Sequence, residues 1–559
     1  MDSVVNIAAC LPDMAAAQPN ATAVCMPLRR ARTGRVQYKR ITYRELDEQS
    51  DVVARGLRAC GVGQGVRAVL MVPPGLHFFA LTFGMAKAGV VPVMVDPGLP
   101  LPHLKQCLAE AAPAAFIGSP KAHFARVLFG WGRTTIKKTL TVGGPALWGG
   151  LSWRRLLAAG ASEKGPALAL TRADDVAAIL FTSGSTGVPK GAVYTHGNFA
   201  GQVKALRAIA QVDPGEVDLP TFPLFALFDP ALGMTTVVPQ MDFTRPAAAN
   251  PQWLVQAMAD EGVTNMFASP ALVGALVRWA LPRQQTMHRL KRVVSAGAPV
   301  PPKVVAQMVS LMAPGGRVVT PYGATEALPV ACIDSHEILA RGDCTASGGG
   351  VCVGKPVAGT EIAIIPISDD PVPTWHEDLR MPPGALGEIT VRGPQVTRSY
   401  WARPQATALA KINVAHSEDF WHRMGDVGYF DNDGYLWFCG RKSHRVVQGA
   451  RTWFSVACEG VFNAHPWVRR TALVGVTRAQ QTRPVVCVEL NPEVTLAALP
   501  PKHALPPELL HELLTLGRAH EHTRDINQFL LHPGFPVDIR HNAKIGREAL
   551  AMWAQRVLQ

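Results

Sequence analysis

The chain has no Cys-x-x-Cys pair, and its ten cysteines lie far apart over 559 residues. That spacing fits neither a disulfide-stapled scaffold nor a zinc finger; free thiols in a reducing, cytoplasmic setting are expected. Met1-Asp2-Ser3-Val4-Val5-Asn6 lacks a basic segment followed by an apolar core, so no secretory signal is read there. No long apolar run goes unbroken either. The most apolar window, Val66 to Val95, contains Pro73-Pro74, His77, Lys87 and Pro92. It reads as strand–helix–strand, not as a transmembrane segment. Charged residues are only 17% of the chain, yet the net charge is +13. The basic residues are scattered, with local clusters at Arg29–Arg40, Arg133–Lys138 and Arg154–Arg155. No aromatic-interleaved RNA-binding motif or zinc-finger spacing accompanies them, so the charge points to an acidic membrane face or an anionic substrate and not to sequence-specific nucleic-acid binding. There is no internal repeat, and the length calls for two or more domains.

What the chain does have is Phe181-Thr182-Ser183-Gly184-Ser185-Thr186-Gly187-Val188-Pro189-Lys190-Gly191, after an apolar run Val176 to Phe181 that reads as a buried strand. A loop without bulky side chains lets backbone N–H groups close on an anion. Gly184 and Gly187 permit the required backbone angles, three hydroxyls add donors and Lys190 adds charge. Gly/Ser/Thr clusters are also common as plain surface turns. The order of these residues favours polyphosphate binding. It is not a Walker-type loop, because the Gly-Lys-Ser/Thr ending is absent.

Further upstream, Thr42 and Glu45 form a capping-box pattern for a helix to about Cys60, stopped by Gly61-Val62-Gly63. Strand Arg67 to Val72, helix Gly75 to Ala88 and strand Val90 to Val95 give a β-α-β rhythm, hence a parallel sheet. Residues 1–40 read as a helix-like stretch and then a basic, turn-rich segment. Strands are also expected at Thr264 to Pro270, Arg292 to Ser295 and Arg317 to Thr320. The last two end in Gly-containing segments, where ligands of open α/β sheets collect. Residues 123–160 mix aromatics (Phe124, Phe129, Trp131, Trp148, Trp153) with Arg133, Lys137-Lys138 and Arg154-Arg155. An ordinary, partly buried basic insertion is the plainer reading, and peripheral membrane contact the sharper one.

The Thr-Ser-Gly-Ser-Thr-Gly-x-Pro-Lys-Gly stretch resembles the phosphate loop of the adenylate-forming superfamily, which holds acyl-CoA synthetases, adenylation domains and luciferase. Ala86-Lys87-Ala88-Gly89-Val90-Val91-Pro92 is similar to its N-terminal subdomain. The resemblance implies an α/β fold: a large N-terminal domain of layered sheets with helices and a β-rich subdomain over residues 1–440, and a small, mobile α+β C-terminal domain over 441–559. It implies ATP and Mg²⁺ as cofactors. The implied ATP-binding residues are Thr182, Ser183, Gly184, Ser185, Thr186, Gly187, Lys190, Gly297, Ala298, Pro299, Tyr322, Gly323, Ala324, Thr325, Asp426 and Arg441. In the family the aromatic at Tyr322 stacks on adenine, Thr325 meets the α-phosphate and Glu326 holds Mg²⁺, consistent with the oxygen preference of that ion. Asp426 and Arg441 would bind ribose. Met424 stands where the family has Ser or Thr, and Ser443 where the hinge is usually Asp or Lys. Lys544, in Ala543-Lys544-Ile545-Gly546-Arg547, corresponds to the lysine that stabilises developing charge as the adenylate forms; a lysine in a loop is otherwise simply solvated. The catalytic set implied is Lys544, Glu326 and Thr325. His520, His522, His532 and His541 have no metal-ligand spacing and read as surface residues.

Many CoA-forming relatives carry a histidine where Phe222-Pro223-Leu224-Phe225-Ala226-Leu227-Phe228-Asp229-Pro230 has Ala226. This segment and Val95-Asp96-Pro97-Gly98-Leu99 resemble the β-lactone synthetases of bacterial long-chain olefin biosynthesis. The resemblance implies a long-chain 2-alkyl-3-hydroxy acid as substrate, with its own hydroxyl attacking the acyl-adenylate. It also implies association with a reductase and a hydrolase-fold decarboxylase. The other readings are a long-chain acyl-CoA synthetase or acyl-AMP ligase, and a nucleotide-binding scaffold. Phe225, Leu227, Phe228 and Met234 would suit an alkyl pocket or a plain core. Asp229 and His196 are candidate bases for the hydroxyl, with capping or packing the alternative for His196.

Overall fold

A computed structural model describes residues 4–31, 34–96, 98–182, 189–478, 480–494, 503–537 and 544–559. The β-α-β rhythm holds. Strands Arg67–Met71, Val91–Met94 and Ala115–Gly118 are parallel neighbours in a seven-stranded sheet. Helix Tyr43–Ala59 starts on the Thr42/Glu45 capping box, as the sequence spacing predicts. It packs against helix Leu76–Lys87. Lys87, the charge that interrupts the apolar window, is 1% exposed and bonds Asp47 and Asp51 of the facing helix, each at 2.5 Å. A buried ammonium persists only when so paired.

A second, larger sheet has strands Val217–Pro220, Asn265–Ala268, Arg292–Ser295 and Arg317–Ala324 side by side and parallel at its centre. These are four-residue buried runs, apart from the longer last one, with helices between them. Antiparallel strands continue that sheet through Gly387–Arg392, Phe420–Phe430 and Leu436–Arg441. At the C-terminal end Val468–Arg478, Gln481–Leu490 and Phe529–Leu531 form a separate three-stranded sheet with its own apolar cluster around Phe462, Leu509 and Leu513. The chain is thus a mixed α/β fold with a large N-terminal region of sheets and a small C-terminal α+β region. No helix among the described residues is long and apolar enough to cross a membrane.

Three expectations change. The basic segment before residue 40 is not turn-rich: Thr22–Arg30 and Val36–Thr42 pair as an antiparallel hairpin at the sheet edge. Its charged side chains suit an exposed edge strand. The strand expected to stop at Thr320 runs on to Ala324. Residues 123–160 are not an insertion. They complete the seven-stranded sheet with Lys138–Thr141 and Leu151–Ser152, flanked by helices Pro120–Leu128 and Trp153–Ser162. Both helices begin on a serine cap, Ser119 and Ser152.

Candidate active site

One continuous cavity of about 2500 Å³ runs between the two large sheets and on to the C-terminal region. The strand ends at Thr182, Ser269 and Ala296 open onto it, which is where open α/β sheets bind ligands.

Phe181 faces Gly191 across an antiparallel pair of strands, Val176–Phe181 and Gly191–Thr195. The residues just past this strand pair are bonded to each other, Thr182 N–H to the Lys190 carbonyl at 2.9 Å and Lys190 N–H to the Thr182 hydroxyl at 3.2 Å. Ser183, Gly184, Ser185, Thr186 and Gly187 lie outside the described residues. Thr182 and Lys190 line the cavity, and the Lys190 ammonium sits 5.1 Å from the centre of the Tyr400 ring.

Tyr322, Gly323 and Ala324 lie on a strand that returns as Ala327–Asp334, with Ala324 opposite Ala327. Thr325 and Glu326 therefore form the tip of a two-residue hairpin that faces the cavity. A side chain at Gly323 would put a carbon 2.5 Å from the Ala327 carbonyl oxygen, so only glycine fits this return. Tyr194 donates to the Thr325 carbonyl. Thr397 gives its N–H (2.8 Å) and its hydroxyl (3.1 Å) to the Glu326 carbonyl. The Tyr400 hydroxyl donates to one Glu326 carboxylate oxygen at 2.6 Å. Lys411, buried nearby, donates to the Thr397 carbonyl, and burial holds its ammonium down at about 7, against the opposing pull of Glu326.

Asp426 sits opposite Arg441 in adjacent strands. Its Oδ2 accepts from the Tyr322 hydroxyl at 2.5 Å, and its Oδ1 forms an ion pair with Arg441 Nε at 3.1 Å. Burial raises the Asp426 carboxyl above its usual range, and Arg441 and then Lys544 work against that. Gly425, at φ +67°, sets the kink that turns Asp426 toward the cavity. Met424, where a hydroxyl residue is usual, is 4% exposed and packs in the apolar cluster with Tyr322 and Phe438. Gly297, Ala298 and Pro299 line the cavity just beyond strand Arg292–Ser295.

Lys544 reaches the same cavity from the C-terminal region. Two anchors set its backbone: Ile545 bridges to Val537, and Arg547 forms a buried ion pair with Glu459. Lys544, Arg441, Asp426, Tyr322, Thr325 and Glu326 are thereby gathered on one cavity from segments spread over more than two hundred residues of sequence. Ser443 and His444 line it too, in the turn Lys442–His444.

Of the proposed alkyl-pocket residues, Phe225, Leu227 and Phe228 line the cavity, with Phe225 stacked on Phe267 at 3.6 Å between ring centres. Met234 and Asp229 do not. Met234 is buried with its sulfur against the Asn265 amide at 3.7 Å. Asp229 is 2% exposed and accepts from the Thr236 hydroxyl at 2.7 Å; burial raises its carboxyl well above the ordinary range. A helical turn, Asp229–Leu232, begins there and rotates that side chain away from Phe228. His196 also turns away. It is buried in the first turn of helix His196–Ala210, accepts the Ile7 N–H at 3.1 Å and is held down at about 4 by burial. His520, His522 and His532 are half-buried rather than surface residues, and His541 lies outside the described residues. Among the described residues no three His, Cys, Asp or Glu side chains converge as a metal cage. Glu326 offers one carboxylate at the cavity, already oriented by Tyr400. That fits Mg²⁺ shared with nucleotide phosphates, because Mg²⁺ takes one or two carboxylates and keeps its other positions for phosphate and water.

Residues 11–401 match the model of the AMP-binding enzyme family. The chain is 50% identical over 563 aligned residues to an olefin β-lactone synthetase of Xanthomonas campestris pv. campestris, covering all of this chain and 99% of that protein. It is 48% identical to an olefin β-lactone synthetase of Stenotrophomonas maltophilia, with full coverage of both. Its fold superposes on ATP-bound MatB of Rhodopseudomonas palustris with a TM-score of 0.79, full coverage of both chains and 20% identity.

Proposed function

The chain belongs to the AMP-binding family of ATP-dependent, adenylate-forming enzymes, and from that premise we propose that it makes a β-lactone from a long-chain 2-alkyl-3-hydroxyalkanoic acid, releasing AMP and pyrophosphate. The observation that carries this reading is the near-50% identity over the full length to two olefin β-lactone synthetases.

The site's own chemistry is consistent with it. A carboxylate oxygen of the acid attacks the α-phosphorus of ATP and pyrophosphate leaves. Thr182, Lys190 and the Gly/Ser/Thr segment between them hold the phosphates. Thr325 and Lys544 meet the α-phosphate, where negative charge develops. Glu326 would hold Mg²⁺, which would neutralise phosphate charge when bound. Asp426 and Arg441 take the ribose hydroxyls, and Tyr322 with Gly297, Ala298 and Pro299 borders the base. The substrate's 3-hydroxyl oxygen then attacks its own acyl carbon. The acyl–AMP bond breaks, the hydroxyl proton passes to solvent and a four-membered ring closes. Attack within one molecule removes the cost of bringing in a second nucleophile, and the activated acyl bond offsets ring strain.

Two features favour closure over thioester formation. Ala226 stands where many CoA-forming relatives have histidine, and it is 3% exposed, so no side-chain base is offered there. Phe225, Leu227, Phe228 and Phe267 give the cavity apolar walls suited to alkyl chains. Residues 441–559 would move as a unit about Ser443 to deliver Lys544. A reductase supplying the hydroxy acid and a hydrolase-fold decarboxylase consuming the lactone are the partners this reading implies.

The test is incubation with Mg-ATP and a synthetic long-chain 2-alkyl-3-hydroxy acid, with CoA left out, followed by NMR at low temperature. A β-lactone with stoichiometric AMP supports the proposal. Acyl-AMP or free acid alone, with a thioester appearing once CoA is added, overturns it.

A further inference from the structure

Helix Pro120–Leu128 is locked onto the seven-stranded sheet by His123, which is fully buried and bonds the Leu140 carbonyl at 3.0 Å. One side of this helix and its following turn, Ala122, Ala125 and Phe129, lines the large cavity. The other side faces solvent with apolar residues: Phe124 is 54% exposed, Val127 50% and Leu128 61%. Leu147, in the turn beside it, is 75% exposed, and its neighbour Trp148 contacts the Phe124 ring at 5.9 Å. Exposed apolar groups this closely grouped mark an interaction surface.

The stretch of sequence that carries them has charge of one sign. From residue 111 to residue 162 there is no Asp or Glu, while Lys121, Arg126, Arg133, Lys137, Lys138, Arg154 and Arg155 all fall in this stretch. Lys121, Arg133 and Lys137, on this helix and the connection that follows it, are exposed and form no ion pair among the described residues; Arg154 and Arg155 belong to helix Trp153–Ser162, which packs on the other face of the sheet. A second copy of the chain would set this positive patch against itself, so self-association is disfavoured.

We propose that this helix and the Leu147 turn dock on an anionic phospholipid bilayer, placing the cavity wall formed by Ala122, Ala125 and Phe129 at the membrane. Phe124, Val127, Leu128 and Leu147 enter the headgroup–acyl boundary, as the apolar face of an interfacial helix does, while the basic residues lie over lipid phosphates. A long-chain acid dissolved in the bilayer then reaches the cavity without crossing water. That purpose rests on the proposed lipid substrate; the docking itself does not.

The experiment is co-sedimentation of the full chain with vesicles of phosphatidylglycerol and phosphatidylcholine, against vesicles of phosphatidylcholine alone. Binding to the anionic vesicles only, weakened by added salt, is expected. F124S/L128S and R133E/K137E each lower the partition coefficient at least about tenfold, while pyrophosphate release on a short, water-soluble 3-hydroxy acid stays within about twofold. If F124S/L128S fails to fold, the charge-reversal pair carries the test, because both of its side chains are exposed. Absence of wild-type binding to anionic vesicles, or wild-type binding by the charge-reversed variant, overturns the proposal. Vesicle binding by a protein that makes no lactone would leave this surface standing and remove the proposed reaction.

Discussion

The Tyr400 hydroxyl holds one oxygen of the Glu326 carboxylate at 2.6 Å, across 74 residues of sequence. It leaves the other oxygen for a ligand in the cavity. Burial raises the Tyr400 phenol far above its usual range, with the Glu326 charge adding to the effect, so it stays a donor at every working pH. Tyr400 is therefore a positioning residue for the proposed Mg²⁺ ligand. Tyr400→Phe is expected to raise the Mg²⁺ concentration needed for half-maximal pyrophosphate release by about tenfold, the scale of lost outer-shell partners at metal sites. A Mg²⁺ titration checks this; an unchanged midpoint would separate Tyr400 from metal binding.

Lys544 brings a cation to the cavity close enough to act on the Asp426 carboxyl. Lys544→Ala is expected to lower the rate of adenylate formation by about 10²–10³-fold, as loss of one group that stabilises developing charge does. ATP binding, measured by calorimetry, should change little, because the proposed ATP-binding residues Thr182, Lys190 and Asp426 remain. A large loss of ATP affinity with an unchanged rate constant would assign Lys544 to nucleotide binding instead.

Asp229 lies behind the cavity wall with its carboxyl bonded to Thr236. Asp229→Asn keeps that shape and removes only the capacity to take a proton. Lactone formation by this variant should stay within about threefold of wild type, since distant isosteric changes seldom reach the transition state. Loss of lactone with adenylation intact would make Asp229 the base for the 3-hydroxyl.

His196 and His444 contribute to the acid sensitivity of the fold. Burial holds His196 at about 4. It also holds His444 at about 3, with Arg547, Arg441 and Lys544 acting in the same direction. In the unfolded chain both titrate near 6.5, so between pH 6.5 and 4 the unfolded state binds more protons. Stability therefore falls as pH falls through that window, by up to about 1.4 kcal/mol per pH unit for each histidine. Urea midpoints at pH 7 and pH 5 measure this. His196→Gln should reduce the difference between them, and an unchanged difference would show that His196 does not carry it.

Much of the site was legible in the sequence because its motifs are contiguous and sit at strand ends. Strand Val176–Phe181 and strand Arg292–Ser295 fall where the apolar runs place them. The capping box at Thr42 needed only a four-residue pattern. Tyr400 and Lys411 were not legible, since nothing local marks them and only folding brings them to Glu326. Asp229 and Met234 were misplaced for a different reason. An apolar stretch does not announce that a short helix begins at Asp229, and that turn decides which side chains face the cavity. The edge hairpin Thr22–Thr42 was missed because charged side chains hide the alternation of an exposed strand.

The central claim is that the 3-hydroxyl attacks a carboxyl activated by AMP. The most direct measurement places a heavy oxygen isotope in the 3-hydroxyl of the substrate and follows it by mass spectrometry after turnover with Mg-ATP. The account predicts labelled lactone, with the isotope in the ring, and unlabelled AMP. Labelled AMP would mean that the hydroxyl, not the carboxylate, had been activated, and would contradict it.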